Sequence, residues 1–364
     1  MAEPEQTAAA LDEMVGAGLL VGYVCGVRHD GRSRIIAGGR RSIDGPALPT
    51  DAVFPLSSNT KPVAGVLAIR LVQLGVLDLD APVGEFLPEL ARPRVLAAPG
   101  GPLDRTVGAE EPVTLRHLLT MTAGLGWVAE PGPLPEAMAA QQVAPGPYAP
   151  PMPSGEYLRR LGELPLADHP GRSWFYHTSS DVLGVLLARA TGATVGDLLA
   201  EHLTGPLGLE DLGFTAAASR MPTSYGLGET GDRLDLHVAS RFAEVPEFES
   251  LACGLAAPLG EYLEFLDVLI DGGSVLDPET AHELTRDHLT AQQRDMAQGF
   301  VAPGCGYGFQ VETRPGGIVG WGGGLGTVAY TDRRAGRSAA VFVTQNHEVP
   351  GTAEALDLVW SLLE

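Results

Sequence analysis

The sequence predicts an α/β protein of the α+β type, in which an antiparallel sheet drawn from both chain ends is flanked by helices. Three observations carry this. The segment GYVCGVRHDGRSRIIAGG (22–39) reads as two strands joined at Asp30-Gly31, a dipeptide that suits a tight hairpin turn. GGIVGWGG, GTVAYTD and AGRSAAVFVTQN near the other end read as three more strands. The patterns between the two ends are mainly helical.

In order, the elements are these. VAGVLAIRLVQL (63–74) is a nearly continuous apolar helix. Pro62 fits only a first helical turn, so this helix begins close to Ser58. Further helices are expected at Thr114–Met121 with Thr114 as cap, Ser179–Thr191, Val195–Leu203, Leu259–Ile270 and Pro278–Asp287. A closing helix is expected from Thr352 to Leu363. Residues 129–154 are rich in Pro and Ala, and a loop of that length serves as a lid or binding loop, or as loose surface. The implied organisation is a discontinuous sheet unit, 1–82 with 272–364, and a mainly helical region, 83–271, inserted between them.

Composition narrows the function classes. The net charge of −21 argues against nucleic acid and anionic membrane surfaces, which require a basic footprint. No apolar run is long enough to span a bilayer, and MAEPEQTAAALDEM lacks the basic start of a secretory leader, so a cytoplasmic protein is expected. Cys25, Cys253 and Cys305 are far apart, giving neither a disulfide framework nor a zinc site. The chain contains no G-x-S-x-G elbow, no zinc-protease histidine spacing and no dinucleotide or phosphate loop.

One residue stands out. Lys61 is the sole lysine beside 23 arginines. A guanidinium replaces an ammonium wherever plain charge suffices, but it cannot exchange a proton at useful pH. Lys61 follows Ser58 by three positions, which places both on one helix face. Ser58 then fits either a helix N-cap or an activated nucleophile. Tyr176, immediately before the 179–191 helix, fits either a core aromatic or a proton-exchanging partner of Lys61 and Ser58. Gly322, Gly323 and Gly324 fit either a bulge or a bare backbone for substrate approach. A backbone N–H there, together with that of Ser58, would form an oxyanion hole.

The order Ser-x-x-Lys, Tyr, glycine-rich strand resembles the serine β-lactamase and penicillin-binding-protein superfamily. The chain is most similar to the branch holding class C β-lactamases, D-alanyl-D-alanine carboxypeptidases and family-eight carboxylesterases. VTLRHLLTMTAGL (113–125), YHTSSDVLGVLLARATG (176–192), GPLGLEDLGF (205–214) and GLAAPLGEYLEFLDVLIDGG (254–273) also resemble that branch, in its order, and the likeness extends over roughly residues 15–362. The resemblance implies a β-lactamase/transpeptidase-like fold. It implies Ser58 as nucleophile, Lys61 and Tyr176 as its proton partners, and the N–H groups of Ser58 and Gly324 as oxyanion donors. Trp321, Gly322 and Gly323 fall on the Lys-Thr-Gly motif and Thr178 on the Asn of Tyr-x-Asn, all four as substrate contacts. No metal or cofactor is implied.

Two departures matter. Thr178 is shorter than the family's Asn. Trp321, expected as a flat wall at the site mouth, replaces a cation and cannot hold a substrate carboxylate. The expected activity is therefore hydrolysis of short neutral esters through an acyl-Ser58 intermediate. The alternatives are a transacylase using the same intermediate, a weak β-lactamase or D-amino-acid peptidase, and an inactive binding module.

Overall fold

The computed structural model describes residues 4–364. Its main sheet has seven strands: β1 (Gly22–His29), β2 (Arg32–Gly39), β3 (Gly306–Tyr307), β4 (Glu312–Arg314), β5 (Ile318–Gly323), β6 (Thr327–Asp332) and β7 (Arg337–Val343). Their spatial order is β2-β1-β7-β6-β5-β4-β3, with every neighbour antiparallel. The two chain ends meet inside the sheet, one strand in from the β2 edge, where Tyr23 pairs with Val343 and His29 with Arg337. Asp30 and Gly31 turn the first hairpin at φ 49° and 71°, the left-handed pair that a two-residue turn needs.

Every residue of β7 is buried, because helices cover both faces of the sheet. The alternation is strict. Ala340 and Phe342 face the larger core, which holds α2 (Thr60–Gln73), α3 (Thr178–Thr191) and α4 (Leu259–Asp271). Ala339, Val341 and Val343 face a second core closed by α1 (Pro4–Gly16), α5 (Thr352–Asp357) and α6 (Val359–Leu363). Helix α4 packs directly on β1, β6 and β7, with Tyr262 against Phe342 at 6.0 Å between centroids. Residues 259–271 thus sit with the sheet, although sequence patterning groups them with the helical insertion.

Other differences have local causes. The closing helix is two pieces that break at Leu358. The helix from Val195 is α-helical only to Leu199 and continues as a π turn over Ala200–Thr204. The turn that follows contains Pro206, which has no N–H to donate. The helix from Pro278 stops at Thr285. Thr114 caps the Leu115–Leu119 helix, as expected, in a reciprocal box with His117. The 129–154 segment is not all loop, since Pro133–Ala140 is helical and buries Leu134 and Met138. Among the described residues, no single helix is long and apolar enough to cross a membrane.

Candidate active site

A sharp turn delivers Ser58. Ser57 takes φ 48°, unusual for a residue with a side chain, and a single 3₁₀ turn, Ser57–Asn59, leads into α2. The strain is held from several sides. The Thr327 hydroxyl donates to the Leu56 carbonyl at 3.0 Å, and Asn59 Nδ2 donates to Thr327 Oγ1 at 3.0 Å. The Tyr262 hydroxyl donates to the Asn59 carbonyl at 2.8 Å. The end of β5 passes so close that a Cβ on Gly323 would lie 2.2 Å from the Leu56 oxygen. Gly323 is therefore required by backbone approach and does not line the cavity, whereas Gly322 and Gly324 do.

Lys61 is fully buried one helical turn after Ser58. Its Nζ donates to Ser58 Oγ at 3.1 Å and to the Ala252 carbonyl at 2.8 Å, and stands 3.5 Å from His177 Nδ1. The Ser58 and Ala252 oxygens accept two of its N–H groups, and the part played by His177 Nδ1 follows the imidazole tautomer. The same nitrogen lies 4.5 Å from the Tyr176 ring centroid. The helix-cap alternative for Ser58 does not occur, because the N-cap of α2 is Asn59 and no side chain caps it.

Tyr176 precedes α3 and is nearly covered. Its hydroxyl oxygen accepts a hydrogen bond from Trp321 Nε1 at 2.9 Å. Trp321 is buried at 4% exposure, packed beside Tyr176 and edge-on to Tyr307. The indole is thus a donor fixed on the tyrosine oxygen, not an open wall at the mouth. Thr178 also departs from expectation. It is fully buried at the start of α3 and is not among the residues that line the cavity.

Behind Lys61 lies a buried polar group that sequence reasoning missed. His177, at φ 85°, places Nε2 3.7 Å from the Asp181 carboxylate. The Ser250 hydroxyl donates to that carboxylate at 2.6 Å. Burial pushes the Asp181 carboxyl up to about 6, and the Ser250 bond and Lys61 only partly oppose this. Burial, followed by the nearby Lys61 charge, holds the His177 imidazole well below its ordinary value. The available signal was Asp181 itself, a carboxylate in the first turn of an otherwise apolar helix. Ser250 and Ala252 carried none, because only the fold brings them to α3 and α2.

Ser58, Tyr176, Trp321, Gly322 and Gly324 line one cavity of about 490 Å³, together with Phe300 and His347. A second, largely apolar cavity of about 370 Å³ reaches Leu325 and Cys253, the neighbours of Gly324 and Ala252.

The chain has relatives. The Beta-lactamase family model matches residues 7–364. Protein Rv1367c of Mycobacterium tuberculosis is 33% identical over 323 residues, covering 84% of this chain and 79% of the relative. Esterase EstB of Burkholderia gladioli is 30% identical over 333 residues, covering 84% and 80%. Among solved structures, EstCE1, described as a hydrolase with promiscuous acyltransferase activity, superposes with a TM-score of 0.82 at 23% identity over 99% of this chain and 98% of its own. With the family model matching nearly the whole chain, the chain belongs to the Beta-lactamase family.

Proposed function

We infer that the chain is a serine hydrolase that forms an acyl-enzyme on Ser58 and cleaves short neutral esters. The observation that carries this reading is the buried Lys61 donating to Ser58 Oγ at 3.1 Å, within a cavity shared by Tyr176. The names of EstB and EstCE1 support ester and acyl-transfer chemistry. The proton acceptor in this reading is Tyr176, whose oxygen carries the Trp321 N–H, while Lys61 bridges Ser58 Oγ and the Ala252 carbonyl. Ser58 Oγ attacks the ester carbonyl and its proton passes to Tyr176. The oxyanion rests on the N–H groups of Ser58 and Gly324. The acyl–oxygen bond breaks and the alkoxide takes the proton back from Tyr176. Water, deprotonated by Tyr176, then attacks the acyl carbon; the bond to Ser58 Oγ breaks, Tyr176 returns the proton to that oxygen, and the acid is released. An alcohol replacing that water gives acyl transfer through the same intermediate.

Neutral substrates are favoured because the family's third-motif cation is here an indole whose only donor is committed to Tyr176. The test is a comparison of kcat/KM for p-nitrophenyl acetate and butyrate with that for a chromogenic cephalosporin. The esters are expected to exceed the cephalosporin, with an acyl adduct on Ser58 in the intact mass spectrum. A cephalosporin equal to or better than the esters would overturn the reading.

A further inference from the structure

Two large aromatic side chains beside the cavity are left uncovered, Phe300 at 43% exposure and Trp127 at 49%. Phe300 lines the cavity of Ser58 and Tyr176. Its ring stacks on Tyr176, 4.3 Å between centroids at 28°, and Trp127 stands edge-on to it at 6.4 Å. Neither ring is on a loose strand of chain. The Trp127 backbone N–H donates to the Tyr176 carbonyl at 2.8 Å. The Phe300 and Val301 N–H groups both donate to the Ala297 carbonyl, at 3.1 and 2.9 Å. The Ala302 N–H donates at 2.7 Å to Glu312, which is itself buried. A fixed, exposed apolar surface contiguous with a reactive group is the mark of a ligand contact.

We propose that Phe300 and Trp127 form the subsite for the alcohol portion of the substrate, and that it selects aromatic and fused-ring alcohols. The proposal rests on the acyl-enzyme reading above. In that chemistry the acyl–oxygen bond breaks and the departing oxygen receives its proton from Tyr176 Oη. The alcohol oxygen must therefore sit at Tyr176, and the group it carries lies along the outer side of that ring, where Phe300 and Trp127 stand. A flat π surface offered there stacks or packs edge-on, whereas a saturated ring of the same size gains only area burial.

The test uses acetates of alcohols with similar leaving ability: 2-naphthylmethyl, benzyl and cyclohexylmethyl. The kcat/KM of the 2-naphthylmethyl ester is expected to exceed that of the cyclohexylmethyl ester by about three- to tenfold, the scale of one good aromatic contact. In Phe300→Ala that ratio is expected to fall to about one, and in Phe300→Tyr to recover. A ratio near one in the unaltered protein, or an undiminished ratio in Phe300→Ala, would overturn the subsite while leaving the hydrolase intact. If no ester turns over and Ser58 takes no label, the hydrolase reading fails instead. The subsite is then decided by binding of 2-naphthylmethanol to Ser58→Ala, followed by saturation-transfer NMR. Saturable binding that Phe300→Ala weakens supports it, and absence of binding ends it.

Discussion

At the scale of single residues, two adjacent serines separate reaction from scaffold. Ser58 Oγ is held by Lys61, whereas Ser57 supplies the strained φ of 48°. Ser58→Ala is expected to abolish ester turnover and labelling by a fluorophosphonate, while Ser57→Ala keeps most of both, as measured by initial rates and intact mass. Loss of labelling in Ser57→Ala alone would move the nucleophile. Trp321→Phe removes the single N–H that reaches Tyr176 Oη and keeps an aromatic ring in the slot. A bond to a charged oxygen is worth about 1.5–3 kcal/mol, so kcat is expected to fall roughly 10- to 100-fold with little change in KM, as read from steady-state kinetics. Ser58 and Lys61 were legible because three residues on a helix define a contact without any knowledge of the fold. The indole's role was not, since its direction depends on strand β5 lying beside Tyr176. The burial of Thr178 was not legible, because motif alignment gives a position in the chain and no rotamer.

At the scale of an element, the start of α3 concentrates charge that the sequence shows only as isolated letters. His177 and Asp181 lie one helical turn apart, facing Lys61 from α2, Ser250 and Cys253 from the 250–253 turn, and Tyr157 from the helix Ser154–Gly162. The Asp181 carboxyl ionises near 3.8 when unfolded and near 6 when folded, so the folded state binds the extra proton between those values. Its contribution to stability is present below about pH 4 and lost as pH rises through about 6, a change of about 3 kcal/mol. His177, held low, gives the opposite slope, because protonation of the unfolded imidazole costs stability as pH falls below its ordinary range. Comparing the unaltered protein with Asp181→Asn isolates the carboxyl. The stability of Asp181→Asn relative to the unaltered protein is expected to rise between pH 4 and 6.5 and then level off, as followed by urea unfolding at fixed ionic strength. A flat difference would show that the carboxylate is compensated in the folded state. Local patterning located the hairpin and the apolar helices well, because each is specified by neighbours in sequence. The breaks at Leu358 and Ala200, and the helix within 129–154, follow from packing partners that patterning cannot see.

At the scale of the whole molecule, stability is shared between the two sheet faces. Helices α5 and α6 bury Ala355, Leu356, Val359, Leu362 and Leu363 against α1 and the β1–β7–β6 face. Removing residues 352–364 strips that cover from Tyr23, Val341 and Val343, each at 0% exposure. The truncated chain is expected to lose cooperative thermal unfolding and to aggregate, as seen by circular dichroism and gel filtration. A soluble, cooperatively melting product would show that the larger core suffices alone. The pairing of β1 with β7 has a consequence for how the protein is made. The turn bearing Ser58 leaves the ribosome more than 250 residues before Thr327, which fastens it, and before β7, which gives β1 its second neighbour. Until β7 emerges the β1–β2 hairpin waits with an open apolar edge, and long-range pairing of this kind is slow and prone to misassociation. A nascent fragment short of β7 leaves β1 unpaired along one side, and that interval is when holdase chaperones have most to bind.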